Sequence, residues 1–128
     1  MRLLIDTHIL LWAVSEPAKL TIAMREQLDE PTNTVLFSAI SLLEIAIKSS
    51  RGRDDFRIGP EHVLRAALVT GFQEVPVRAE MALKVIDLPP IHRDPFDRLL
   101  LAQAMTLGCR LYTADATLLS YGEPVFPA

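Results

Sequence analysis

Hydrophobic and polar positions follow two periods along this chain. Short β-type runs, Arg2 to Ile5, Thr34 to Phe37, Gln73 to Val77 and Arg110 to Thr113, are separated by longer segments in which apolar side chains recur at helical spacing. Helices are predicted over Thr7 to Val14, over about Leu20 to Glu30 with Pro31 closing it, and over Ala39 to Ser50 with Ser38 as N-cap. Pro60 opens another, and Val77 to Ile86 forms one that stops before Pro89-Pro90. The stretch Asp94-Pro95-Phe96-Asp97 is a strong helix start: Asp94 caps, Pro95 takes the first helical position, and Asp97 lies in the first turn of a helix that ends at Gly108. A short helix follows Asp115, and Pro124 to Phe126 reads as an edge strand. Strands separated by helices imply parallel pairing, hence a three-layer α/β/α sandwich around a central, mainly parallel sheet.

Composition adds bounds. Half of the 128 residues are hydrophobic, enough for one packed core, and no repeat, low-complexity tract or long linker divides the chain, so residues 1–128 are read as a single domain. Thirteen Lys and Arg against sixteen Asp and Glu leave a net charge of −3, which gives no gross footprint of a nucleic-acid binder. Two bound Mg²⁺ ions would reverse that sign, so local charge matters more than the total. Cys109 is the only cysteine; an internal disulfide is excluded, and a small buried hydrophobe in a reducing compartment is expected. The apolar N-terminus MRLLIDTHILLWAV is interrupted by Asp6 and His8 and is too short to span a bilayer, so a cytoplasmic protein is expected.

Ligand crevices of parallel sheets lie beyond the carboxyl ends of the strands, and acids gather there. Asp6 follows the first strand directly, Asp115 comes two residues after the fourth, Asp97 lies in a first helical turn, and Glu44 sits two turns into the helix after the second strand. Each has a plainer explanation. Asp6 and Asp115 would serve as N-caps and Asp97 as a partner of a helix dipole, each worth about 0.3 to 2 kcal/mol, and Glu44 would pair at the surface with Lys48 for roughly 0.3 kcal/mol. The helix faces argue for more. Glu44 shares the stripe Ile40, Leu43, Ile47, and Asp97 shares a face with Leu100, Leu101 and Ala104. Unpaired carboxylates on inward faces cost several kcal/mol or neutralise, so they need a partner. An all-oxygen donor set points to Mg²⁺ or Mn²⁺ rather than Zn²⁺, and Mg²⁺ held by a few carboxylates completes its shell with substrate phosphate oxygens. A phosphodiesterase is the chemistry that fits.

The stretches LLIDTHILLWAV, FSAISLLEIAIK, HRDPFDRLLLAQA and LYTADATLLSYG, spread over nearly the whole length, resemble the PIN-domain ribonucleases, and within them the toxin half of VapBC-type toxin–antitoxin pairs. The resemblance implies a PIN-like fold and makes Asp6, Glu44, Asp97 and Asp115 the metal-site acids of an Mg²⁺- or Mn²⁺-dependent endoribonuclease. It leaves Asp94 as a cap and matches Thr7 and Thr113 to hydroxyl positions beside the first and last acids, with Ser38 either another such hydroxyl or a plain N-cap. It also implies RNA as substrate, a cognate antitoxin as partner, and a homodimer. Basic residues near the acids, Lys48, Arg51, Arg53, His92, Arg93 and Arg98, are candidate RNA contacts or ordinary surface, and Trp12 is a core residue or a base-stacking platform.

Rival phosphoryl chemistries fit less well. A haloacid-dehalogenase-like site wants a second Asp two residues after the first, where His8 stands, and a receiver-like site wants an acidic pair that Arg2 to Asp6 does not supply. The remaining alternative is a non-catalytic PIN-like module that binds nucleic acid or a partner's arginines.

Overall fold

The computed structural model describes residues 1–52 and 57–128. Its strands are β1 (Arg2–Ile5), β2 (Thr34–Ser38), β3 (Gln73–Val75), β4 (Arg110–Thr113) and β5 (Val125–Pro127), and its α-helices are α1 (Thr7–Ser15), α2 (Ile22–Asp29), α3 (Ala39–Ser50), α4 (Pro60–Thr70), α5 (Ala79–Lys84), α6 (Pro95–Leu107) and α7 (Ala116–Leu119). The strands form one sheet in the order β3-β2-β1-β4-β5, and every pairing in it is parallel.

The central strand shows why the sheet is sandwiched. Leu3, Leu4 and Ile5 are wholly buried, and successive side chains of a strand face opposite ways. Leu3 and Ile5 join Val35, Phe37 and Tyr112 in a core closed by Ile9 and Leu10 of α1, Met24 of α2, and Val63 and Ala67 of α4. Leu4 joins Leu36 and Leu111 in a second core closed by Met81 of α5, Leu100, Leu101 and Ala104 of α6, and Leu118 of α7. Each Val, Leu, Ile, Phe or Met among them contributes about 1.5 to 3 kcal/mol by leaving water. Cys109 belongs to the second core, where burial pushes its thiol pKa up.

Local chemistry trims the predicted boundaries. The second helix begins at Ile22 because the Thr21 hydroxyl caps it, accepting from the Met24 N–H at 3.0 Å, and a 3₁₀ turn, Pro17–Lys19, precedes it. β3 stops at Val75 because Pro76 has no N–H for a ladder. The segment expected as one helix over Val77 to Ile86 is α5 followed by a 3₁₀ turn, Val85–Asp87. The edge strand falls at Val125–Pro127, one residue later than expected.

Candidate functional site

In this strand order the chain leaves β1 toward β2 on one side and resumes at β4 on the other, which opens a crevice between the ends of β1 and β4. A cleft of about 320 Å³ lies there, lined by Asp6, Glu44, Asp97 and Asp115 together with Thr7, His8, Trp12, Lys48, His92, Asp94 and Ala114. The structure thus gathers all of the predicted acids into one cavity. It also shows that their plainer roles are real and simultaneous.

Asp6 caps α1, its Oδ1 accepting from the Ile9 N–H at 2.9 Å, while its Oδ2 accepts a short hydrogen bond from the Thr113 hydroxyl. Burial, before any charge, pushes its carboxyl pKa up against the pull of those two bonds. Glu44 is nearly as buried. Its Oε1 lies 2.6 Å from the Thr7 hydroxyl, which is also 2.9 Å from Ser41 Oγ, and its Oε2 pairs with Lys48 Nζ. A carboxylate can only accept, so Thr7 spends its one proton on Glu44 and Ser41 donates to Thr7. The i,i+4 pair with Lys48 therefore exists, but inside the cleft rather than on the surface.

The opposite wall is more open. Asp115 caps α7, its Oδ1 accepting from the Thr117 N–H at 2.7 Å and the Leu118 N–H at 3.2 Å, and its Oδ2 lies 3.2 Å from His92 Nε2. Burial alone would raise its pKa, but the bonds from His92 and the two amides outweigh it and hold the carboxyl below its ordinary value. Asp97 Oδ2 stands 3.0 Å from the same nitrogen. Its carboxyl is pushed up to about 7, first by burial and then by the negative charges of Asp94 and Glu44. Among the described residues, ligand atoms of His92, Asp97 and Asp115 fall within 4.8 Å of one another. The donor set fits a divalent cation: carboxylates crowd a wall where one of them binds a proton too tightly for an ordinary acid.

The geometry corrects several expectations. Leu43 is 50% exposed, so the buried line on α3 is Ser41, Glu44 and Ile45 rather than the stripe Ile40, Leu43, Glu44, Ile47. Ser38 is an N-cap, accepting from the Ile40 N–H at 3.1 Å, and does not line the cleft. Thr7 and Thr113 stand among the acids, but their hydroxyls serve other acids than their chain neighbours: Thr7 bonds Glu44 and Thr113 bonds Asp6. Of the basic residues, Lys48 and His92 line the cleft, Arg51 and Arg93 are exposed outside it, and Arg53 lies outside the described residues. Arg98 is not a cleft cation: its guanidinium donates to the carbonyls of Val85 at 3.0 Å and of Pro89 and His92 at 3.2 Å, fastening the loop before α6. Trp12 packs against the first core and also faces the cleft, its ring 6.0 Å from that of His8. Sequence reasoning missed Ser41 and the part His92 plays. Ser41, one helical turn before Glu44 on the same face, carried a signal.

The matching family model is that of the PIN domain, over residues 3–124, and the chain belongs to this family. Within it, the chain is similar to ribonuclease VapC22 of Mycobacterium tuberculosis, 30% identical over 122 residues that cover 94% of this chain and 92% of the relative. Its fold is similar to that in the crystal structure of VapBC2 from Rickettsia felis bound to a promoter DNA fragment, with a TM-score of 0.73 at 15% identity, covering 100% of this chain and 98% of the other. VapBC-1 from nontypeable Haemophilus influenzae gives a TM-score of 0.63 at 17% identity, with 100% and 97% covered.

Proposed function

We propose that this chain is a divalent-metal-dependent endoribonuclease that hydrolyses RNA phosphodiester bonds and acts as the toxin of a type II toxin–antitoxin pair. The observation that carries the chemistry is the convergence of Asp6, Glu44, Asp97 and Asp115, from four separate places in the chain, on one cleft. In this reading those acids hold Mg²⁺ or Mn²⁺, which when bound supplies positive charge to the phosphodiester and its departing oxygen. Thr113 and Thr7 orient Asp6 and Glu44 through their hydroxyls, and Lys48 balances the charge of Glu44. A substrate phosphate would enter from the open wall, where Asp115 has a side-chain exposure of 37% against 4% for Glu44.

The relatives support the partners of this reading: RNA, from the similarity to a ribonuclease, and a cognate antitoxin, from the likeness to VapBC structures. A homodimer is supported by Leu83 and Ile86, 65% and 78% exposed and one turn apart, which leave apolar surface to cover. No helix among the described residues is long and apolar enough to cross a membrane. In this reading the chain is a single domain, and its lone buried thiol supports a reducing, cytoplasmic setting. The test is cleavage of RNA by protein freed of metal. Cleavage is expected only when Mg²⁺ or Mn²⁺ is restored, and cleavage at full rate in EDTA would remove the metal mechanism.

A further inference from the structure

His92 meets both acids of the open wall, and its role depends on which ring nitrogen carries the proton. The backbone N–H of Asp94 donates to His92 Nδ1 at 3.1 Å. An N–H aimed at Nδ1 requires a lone pair there, so in the neutral ring the proton sits on Nε2. That nitrogen faces Asp115 Oδ2 at 3.2 Å and Asp97 Oδ2 at 3.0 Å. A metal-ligating histidine is arranged the other way, with one nitrogen bare toward the ion and the other donating its proton to an acceptor.

We propose that His92 is a positioning residue, not a metal ligand: its Nε2–H stands between Asp97 and Asp115 and holds their carboxylates at the spacing a cation needs. The proposal rests on the metal-dependent reading above and deepens it. The surroundings fit a fixed donor. The His92 N–H donates to the Tyr121 hydroxyl at 2.9 Å, Tyr121 donates to the Pro89 carbonyl at 2.9 Å, and Arg98 donates to the carbonyls of His92, Pro89 and Val85. Backbone on both sides of the ring is thus tied to α6 and to the segment after α7. The HRDPFDR stretch therefore carries a cap (Asp94), an acid (Asp97), the donor that holds it (His92) and the clamp that holds the donor (Arg98).

The test is the long-range ¹H–¹⁵N spectrum of the imidazoles in full-length protein, metal-free and with saturating Mg²⁺, which is diamagnetic, joined to calorimetric Mg²⁺ affinities. The proposal expects the Nε2–H tautomer of His92 in both states, an affinity about tenfold weaker in His92→Ala, as for loss of a residue that orients metal ligands, and recovery to within about threefold in His92→Gln, which keeps a side-chain N–H. Movement of the proton to Nδ1 on loading would make His92 a ligand and overturn it, as would a His92→Gln variant as weak as His92→Ala. Absence of any calorimetric Mg²⁺ binding in wild type overturns the metal reading instead. The metal-free tautomer then decides the bridge by itself, Nε2–H upholding it and Nδ1–H ending it.

Discussion

On one wall of the cleft Asp6 and Glu44 are almost wholly buried and held by the chain's own donors, Thr113, Ile9, Thr7 and Lys48; on the other, Asp97 and Asp115 stand partly open beside His92. The buried wall meets its acids with internal donors, yet burial still raises the Asp6 carboxyl. On the open wall His92 and two amides hold Asp115 low, whereas Asp97 is pushed up. Asp97, raised to about 7, still competes for a proton that a cation could replace. Which wall an acid stands on therefore does not decide its need for a ligand; the balance of burial, neighbouring charge and donors around each carboxyl does.

The largest expected effects come from deleting one acid on each wall. Asp6→Asn and Asp97→Asn should each lower RNA cleavage by more than about a hundredfold, because a misheld ion loses several kcal/mol of charge stabilisation. Both should fold, since Asn caps a helix about as well as Asp at position 6 and at position 97 a neutral amide replaces a carboxyl pushed up by burial and like charge, which circular dichroism would verify. Wild-type cleavage by either variant would remove that residue from the site.

Lys48→Met sharpens the contrast at the buried wall. It leaves Glu44 uncompensated in a cleft where the lysine itself is only 19% exposed, so metal-free protein should lose roughly 3 kcal/mol of stability in urea denaturation, the scale of breaking a buried pair. A loss below about 0.5 kcal/mol would return the pair to the surface class.

The smallest effect is the pH dependence of the open wall. A carboxyl with an unfolded pKa near 4 and a folded one of about 7 binds its proton more tightly in the native state. The stability it contributes is full below about pH 4 and is lost as pH rises through about 7. Metal-free wild type should therefore melt lower at pH 8 than at pH 6 on this account, and Asp97→Asn should flatten the slope and melt above wild type at pH 8. An unchanged slope in the variant would mean that Asp97 is not the group responsible.

Much of this was legible in the chain. Strand alternation and helix stops yielded the layers, and Asp6, Asp97 and Asp115 could be placed because strand ends and capping are local events. Glu44 was placed in the cleft from a stripe that the structure amends: Leu43 turns outward, and the buried line runs through Ser41. The acids' two readings, cap and site, could not be separated by spacing because Asp6 and Asp115 do both. His92 was illegible for a different reason. Its contact with Asp115 spans 23 residues and depends on a loop that Arg98 and Tyr121 fasten through backbone carbonyls and amides, and no side-chain pattern announces bonds of that kind.

Whether the acids of the two walls form one metal site is decided by melting wild type and Asp97→Asn with and without Mn²⁺ at neutral pH. At a hundredfold excess over the dissociation constant, Mn²⁺ should stabilise wild type by about 2.7 kcal/mol, a shift of several degrees for a domain of this size, and the variant by much less. No metal-dependent shift in wild type, or an equal shift in Asp97→Asn, would contradict a single site.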